Sequence, residues 1–453
     1  SIGMCLYFGL LYNSGGNCQS YYGKANFEET AAMVGVTGQD IVRCKANLMD
    51  MKISVISSHK ISVRAVVLVT VSAEEIYDRE VIKKIEMDNV RDERLEVRMM
   101  KLIANRKDTF RIRESVNINQ GMSNIGEIIW QELRVKDLCF TPADGRIDVK
   151  GNLSFFVIYQ GENGGELNYY DNVVPFSGNL DISNGRQEDV YDINIVSCEK
   201  SLISRNDGNG ETRIFDGEII MSLDICGYRN EDVSLLTDIY APGYEITPKT
   251  EKLEYERLVE NKVVDIDINE RIKNEDGGKI IYTCGDVIVD EIIQKDNKVD
   301  IEGTISVQIM MEDKEAMPPI TVSHHDIPFS YQAGMDKYEK DSELCGKVNN
   351  ISLYSKRISD KEISVNGTIK MEIMAKSTTT TPVVINADVE KVPKEKLKNI
   401  PGITGYIVKE GDTLWNIAKR FYTTADSIME ANNLENDMIY PGMKLIILKL
   451  YCF

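Results

Sequence analysis

Two stretches far apart in this chain are written in one pattern. Asp144-Gly145-Arg146-Ile147-Asp148-Val149-Lys150-Gly151 is echoed by Asp296-Asn297-Lys298-Val299-Asp300-Ile301-Glu302-Gly303. Alternating apolar residues follow each: Leu153, Phe155, Val157 and Tyr159 in one, Ile305, Val307, Ile309 and Met311 in the other. Apolar side chains at every second position put one face of a strand into a core. Further along come Val174-Pro175-Phe176-Ser177 and Ile327-Pro328-Phe329-Ser330. Two markers at nearly the same separation identify two copies of one unit.

Shorter echoes mark a second half in each unit. Asp360-Lys361-Glu362-Ile363-Ser364-Val365-Asn366-Gly367 precedes Ile369, Met371 and Ile373. Ser58-His59-Lys60-Ile61-Ser62-Val63-Arg64-Ala65 has Ala in the Gly place, then Val67, Val69 and Val71. Residues 209–225 hold the corresponding place but fit poorly around Arg213. Each echo reads as a β-hairpin with a Gly where the backbone bends or bulges. Gly3 through Tyr12, then Tyr21-Tyr22, resemble Gly151 through Tyr159, then Tyr169-Tyr170, so a first unit is present without its opening strands.

The expected fold class is therefore mainly β: tandem antiparallel, sandwich-like units, followed by a small α+β module. In chain order this gives a truncated first unit at 1–73 and a connecting segment at 74–100, with a charged helix expected around Arg79–Arg94. A second unit spans 101–242, with a short helix expected near Asn124–Trp130, and a third spans 259–375. A linker at 377–404, solvated by three lysines within Lys394–Lys398, leads to the last module at 405–449.

That last module alternates strand and helix signals. Tyr406-Ile407-Val408 is a short apolar strand, and Leu414, Ile417, Ala418 and Phe421 make one stripe on a two-turn helix. Asp412 or Thr413 is placed to cap it. A second helix fits 425–432, with Thr423 or Thr424 as cap and Ile428 and Ala431 facing inward. A turn through Tyr440-Pro441-Gly442 leads to a closing strand, Lys444-Leu445-Ile446-Ile447-Leu448. The result is a βααβ unit.

This module closely resembles a LysM domain. The resemblance rests on Tyr406 through Ala418, Ala431-Asn432-Asn433-Leu434, and Ile439 through Leu445. It implies binding of N-acetylglucosamine-containing glycans such as peptidoglycan or chitin, without cleavage. The groove it implies lies between the loop Gly411, Asp412, Thr413, Leu414 and the loop Asn436 to Tyr440, with Asn436, Met438, Ile439 and Tyr440 at the site. Trp415 reads as a packing residue rather than a sugar platform.

Paired units carrying the D-G-x-[IV]-x-[VI]-x-G signature and a later [VI]-P-F-S, ahead of a LysM module, resemble the SPOCS domain family. The layout is similar to SipL-type spore-envelope morphogenesis proteins. That resemblance implies a non-enzymatic scaffold made in the mother-cell cytoplasm, which helps assemble the coat at the forespore surface. Its implied partners are peptidoglycan glycan or a coat morphogenetic ATPase, and other coat proteins. Ala65 for Gly, Asn26-Phe27 for Pro-Phe, and the irregular 209–217 hairpin depart from the pattern.

Composition narrows the alternatives. Of 453 residues, 53 are basic and 72 acidic, a net charge of −19 that argues against nucleic acid. Residues 391–449 hold nine Lys/Arg and seven Asp/Glu, so the acidity lies upstream. Nine cysteines stand singly without a C-x-x-C pair, which reads as reduced thiols and no zinc site. No apolar run reaches the roughly 18 residues of a membrane-spanning helix. The first residue is Ser, and a start inside a longer protein is expected.

Chemistry finds little to work with. The three histidines are His59, at a hairpin tip, and the neighbours His324 and His325, whose rings should point to opposite strand faces. H-E-x-x-H, G-x-S-x-G and G-x-x-x-x-G-K-[ST] are absent, and Gly161–Gly165 and Gly208–Gly210 read as hairpin loops. No catalytic residue, metal site or cofactor is expected. Two other readings stay open: a secreted wall-binding protein with the repeats as a stalk, and a wall hydrolase that uses LysM for targeting.

Overall fold

The computed structural model describes every residue except 1, 16, 58, 274–276, 314–318, 338, 340, 341, 394, 397, 398 and 451–453. Ser58 of the first repeat's motif, Lys394 and Lys398 of the linker, and Tyr451-Cys452-Phe453 thus lie outside the described residues. The protein is 73% strand and 4% helix, with antiparallel sheets, and is mainly β as expected.

Among the described residues, sixteen strands precede the last module. They are β1 (Ile2–Ser14), β2 (Asn17–Glu29), β3 (Ile41–Ser57), β4 (Lys60–Glu74), β5 (Arg91–Asn117), β6 (Ile125–Ala143), β7 (Arg146–Gly161) and β8 (Leu167–Asp181). Then follow β9 (Val190–Asn206), β10 (Thr212–Tyr240), β11 (Tyr244–Lys273), β12 (Lys279–Lys295), β13 (Lys298–Glu312), β14 (Ile320–Gly334), β15 (Glu343–Ser359) and β16 (Glu362–Lys391). Sheet orders repeat: β6-β7-β8 with β5-β10-β9, then β12-β13-β14 with β11-β16-β15. The first four strands form two two-stranded sheets, β1-β2 and β3-β4.

The register explains why the two sequence markers travel together. Gly151 on β7 lies directly opposite Phe176 on β8, and Gly303 on β13 opposite Phe329 on β14. A Cβ on Gly151 would stand 2.7 Å from the Phe176 ring, and one on Gly303 also 2.7 Å from the Phe329 ring. Each glycine leaves the space that the facing phenylalanine fills. The preceding Pro175 and Pro328 sit on edge strands, the place in a sheet where proline is tolerated.

The chain divides into two compact units, each built from separate segments. The first comprises Ser1–Ile76, Lys101–Arg229 and Leu258–Ser377, and the second Tyr77–Met100, Asn230–Arg257 and Thr378–Phe453.

Within the first unit, the second repeat buries Phe155, Phe215, Ile219, Met221 and Leu223 between its two sheets. The third repeat does the same with Val299, Ile305, Val307, Ile369 and Met371. The repeats also share a core. Phe156, on the back of β7, stacks on Tyr282 of β12 at 4.1 Å and 12°, and Ile129, Ile158, Met310 and Ile320 surround them. Trp130 carries this contact to the first repeat by stacking on Tyr22 at 5.5 Å.

Within the second unit, Leu235, Leu253 and Val383 form one small core, and Leu236, Ile239 and Val384 another. The segment 77–90 covers both, with Val81 against the first and Ile82, Ile85 and Val90 against the second. No helix forms there, contrary to expectation: residues 75–87 hold no regular element, and β5 begins at Arg91. Its apolar side chains supply caps to two cores rather than one stripe, and the Arg94 guanidinium donates to the Ile82 and Lys83 carbonyls.

The helix expected near Asn124–Trp130 is instead the start of β6. Two register shifts, at 125/127 and 128/130, reset the strand's phase within a few residues. Ile125 and Leu133 therefore face one core while Ile129 faces the shared one, and period-two burial acquires a helix-like spacing. Ser377 to Thr381, read as linker, lie inside β16.

Candidate functional site

The last module is built as its pattern requires. Strand β17 (Ile403–Ile407) pairs antiparallel with β18 (Lys444–Leu448), and helices α1 (Leu414–Arg420) and α2 (Ala425–Ala431) stand between them. Thr413 caps α1 by accepting from Asn416 N–H at 3.1 Å, and Thr424 caps α2 by accepting from Ser427 N–H at 3.1 Å. Val408, Leu414, Ile417, Ala418, Ile428, Leu445 and Ile447 form the core. Asn432 acts as an extra piece of backbone beside β18. Its amide donates to Ile446 O at 2.7 Å and accepts from Ile446 N at 2.7 Å.

The two loops expected to frame a groove leave the core side by side. Val408 N donates to Met443 O, and Gly442 N to Val408 O, so the loop after Val408 and the loop before Gly442 share a root. In the first loop, Gly411 takes φ +82°, a left-handed turn that a side chain would strain. Asp412 locks this turn: its carboxylate accepts from Lys409 N–H at 2.8 Å and the Tyr406 hydroxyl at 2.7 Å. Those bonds, the backbone one first, hold its pKa below the usual carboxylate value. Leu414 is 2% exposed, so it offers backbone rather than side chain to a ligand.

In the second loop, Asn436 accepts from Met438 N–H at 3.0 Å and turns the chain. This leaves Met438 60% and Tyr440 63% exposed, while half-buried Ile439 packs against the core. A surface of backbone amides, a thioether and one phenol ring suits the acetamide and apolar face of an amino sugar. It has no nucleophile–base pair.

Trp415 faces elsewhere. Its Nε1 donates to Asp238 at 2.8 Å, and its ring meets Tyr240 edge-on at 4.6 Å. Lys419 Nζ reaches both Asp238 oxygens at 2.6 and 2.8 Å. Burial by itself would raise the Asp238 pKa, but the bonds from Lys419 and Trp415 outweigh it and hold the pKa low. Glu245 adds contacts from Lys396 and the Tyr422 hydroxyl. The module is therefore docked on strand β10 and its neighbours in the second unit. Sequence reading missed Asp238 and Tyr240, because a carboxylate and a phenol far upstream carry no local signature.

Elsewhere, His324 Nε2 lies 3.0 Å from Ser306 Oγ, and among the described residues no group of three His, Cys, Asp or Glu is placed to hold a metal. The eight described cysteines are free thiols.

Comparison with known proteins places both motif sets. A LysM domain family model matches residues 406–448, and a SipL, SPOCS domain model matches 124–199; neither is a catalytic domain. Among curated proteins, a probable N-acetylmuramidase of Lactococcus lactis subsp. cremoris is 48% identical over 44 residues, 10% of each chain. A probable endopeptidase p60 of Listeria monocytogenes is 56% identical over 39 residues, 9% of this chain and 8% of that one. The probable autolysin SsaALP of Staphylococcus aureus is 34% identical over 44 residues, 10% of this chain and 17% of that one. These hydrolase matches touch only the LysM part, and the chain spans no more than 17% of the length of these relatives. No solved structure matches at a significant level. With both matches and the repeated strand order, the chain carries a SipL, SPOCS domain over 124–199 and a LysM domain over 406–448.

Proposed function

We propose that this protein is a non-enzymatic scaffold of the spore envelope, acting at the forespore surface from the mother-cell cytoplasm. Its β repeats dock other coat proteins through sheet faces and edges, and its LysM domain supplies a localising contact. A LysM domain implies peptidoglycan binding and a SPOCS domain a role in sporulation. The observation that carries the reading is the division of labour on the LysM module. Trp415 and Lys419 are spent on docking, whereas the loops bearing Gly411 and Tyr440 stay open.

The ligand of those loops is N-acetylglucosamine glycan of peptidoglycan or, as a protein alternative, a coat morphogenetic ATPase. Parallel pull-downs on purified peptidoglycan and on that ATPase separate them. Ile439→Asp should abolish whichever contact the wild type makes; retention of both would overturn the loop assignment. The hydrolase names of the relatives favour a second reading, a LysM-targeted wall hydrolase. Lysis in a zymogram of the intact protein would support that reading over the scaffold.

A further inference from the structure

We infer that copies of this chain bind one another edge to edge, β5 of one copy against β11 of the next, through Arg111 and Arg113 on the first strand and Asp265 and Asp267 on the second. The contact goes beyond the scaffold reading and does not depend on it, because both sides belong to this chain. Strands β5 and β11 hold the same place in successive repeats: each is an edge strand, in the sheets β5-β10-β9 and β11-β16-β15.

Their side chains match position by position. Arg113 donates at 2.7 Å to Glu218, which follows Gly217 on β10. Asp267 accepts at 3.3 Å from Thr368, which follows the matching Gly367 on β16. Arg113 and Asp267 are thus equivalent, and so, two residues back, are Arg111 and Asp265. Between them Ile112 and Ile266 are buried alike, at 2% and 3% exposure. Only the outward charge is inverted. Neither copy of the position neutralises it: Arg111 and Arg113 share the one Glu218, and their side chains stay 59% and 68% exposed. On β11, Lys370 comes no nearer than 4.0 Å to Asp265, and Asp267 is met by a neutral hydroxyl.

Charge on an edge strand discourages sheets from joining, and inverted charge makes that barrier selective. Two β5 edges would set Arg against Arg, and two β11 edges Asp against Asp, both destabilising. Strand β5 laid antiparallel to β11 with Ile112 opposite Ile266 sets Arg111 opposite Asp267 and Arg113 opposite Asp265. On the inward side the buried Phe110 then meets the buried Ile268. Four residues on, Lys107 would face Arg271, which confines the match to this segment. The two surfaces are unlike, so a copy whose β5 edge is taken still offers β11, and association continues past a pair.

Sedimentation velocity on the full 453-residue chain tests this. Copies of net charge −19 repel, so unspecific association strengthens as salt is added, whereas Arg–Asp contacts weaken. The average mass should rise with concentration at about 0.02 M salt and return to the monomer's at about 0.5 M. Asp265→Asn with Asp267→Asn, which keeps the side-chain shape, should raise the dissociation constant at least about tenfold. Arg111→Asp with Arg113→Asp should do the same, as should Asp265→Arg with Asp267→Arg. Mixing these two reversed variants should restore association, since each then meets an edge of opposite charge. Four results would overturn the inference: a monomer at low salt, association that grows with salt, Asn variants that associate like the wild type, or reversed variants of unchanged urea midpoint whose mixture stays monomeric. None of them bears on the docking of coat proteins, which pull-downs read separately.

Discussion

The Trp415 indole donates to the Asp238 carboxylate across 2.8 Å, joining a helix of the LysM module to strand β10. The same carboxylate receives the Lys419 ammonium, so one side chain holds two residues of α1 that are one turn apart. A LysM domain of this size buries little on its own, and the Tyr240 ring in its core shows that the second unit completes it.

Asp238→Ala should loosen the module without unfolding the first unit. The side chains of Asp238 and Lys419 keep 21% and 33% exposure, so solvent screening discounts the pair, and a loss of about 1–2 kcal/mol is expected. Limited proteolysis within 399–402 should quicken in the variant. Trp415→Phe keeps the edge-on contact with Tyr240 and should cost less.

The same carboxylate sets a pH dependence. Its folded pKa is depressed, so its contribution is fully present above the unfolded value of about 4 and fades as pH falls through the folded value. The Trp415 indole N–H resonance should hold constant from pH 7 to about 5, then shift as acid protonates Asp238. In Asp238→Asn that low-pH inflection should vanish.

Much of this was legible in the sequence because its signals are local. Thr413 and Thr424 cap the helices their positions mark, and the repeat markers fall on matching strands. The failures share a cause. The β6 bulges and the Ile82–Val90 cover draw their pattern from distant partners, and so does the Asp238 dock. The Gly411 turn and exposed Tyr440 were readable from the motif, whereas the commitment of Trp415 needed the fold.

The two marker glycines should differ in their tolerance of a methyl group. At Gly151 the closest atoms belong to the Phe176 ring at 2.7 Å, and the nearest backbone atom, Lys136 O, is 3.2 Å away. At Gly303 the backbone oxygen of Ile288 is itself 2.5 Å away, and backbone yields less readily than a ring. Both alanine variants should be destabilised by about 1–3 kcal/mol, with Gly303→Ala the worse. Urea midpoints of the two variants check the order.

Arg213 is where the second repeat's hairpin departs from the pattern, and the structure gives the departure a purpose. The β9–β10 register shifts between Thr212 and Ile214, leaving Arg213 bulged out of the ladder. Its guanidinium donates to Met122 O at 3.1 Å, Asn124 Oδ1 at 2.7 Å and Asn119 O at 2.8 Å, while its own carbonyl accepts from Ile118 N–H. The loop between β5 and β6 is thus tied to the hairpin by one residue. Arg213→Ala removes three bonds to a charged donor and strands three acceptors, at a cost of about 2–3 kcal/mol. Arg213→Lys, whose single ammonium cannot span the fork, should recover less than half of that. Amide exchange at 118–124 should rise in both variants and more in the alanine one; unchanged exchange would show that the loop holds itself.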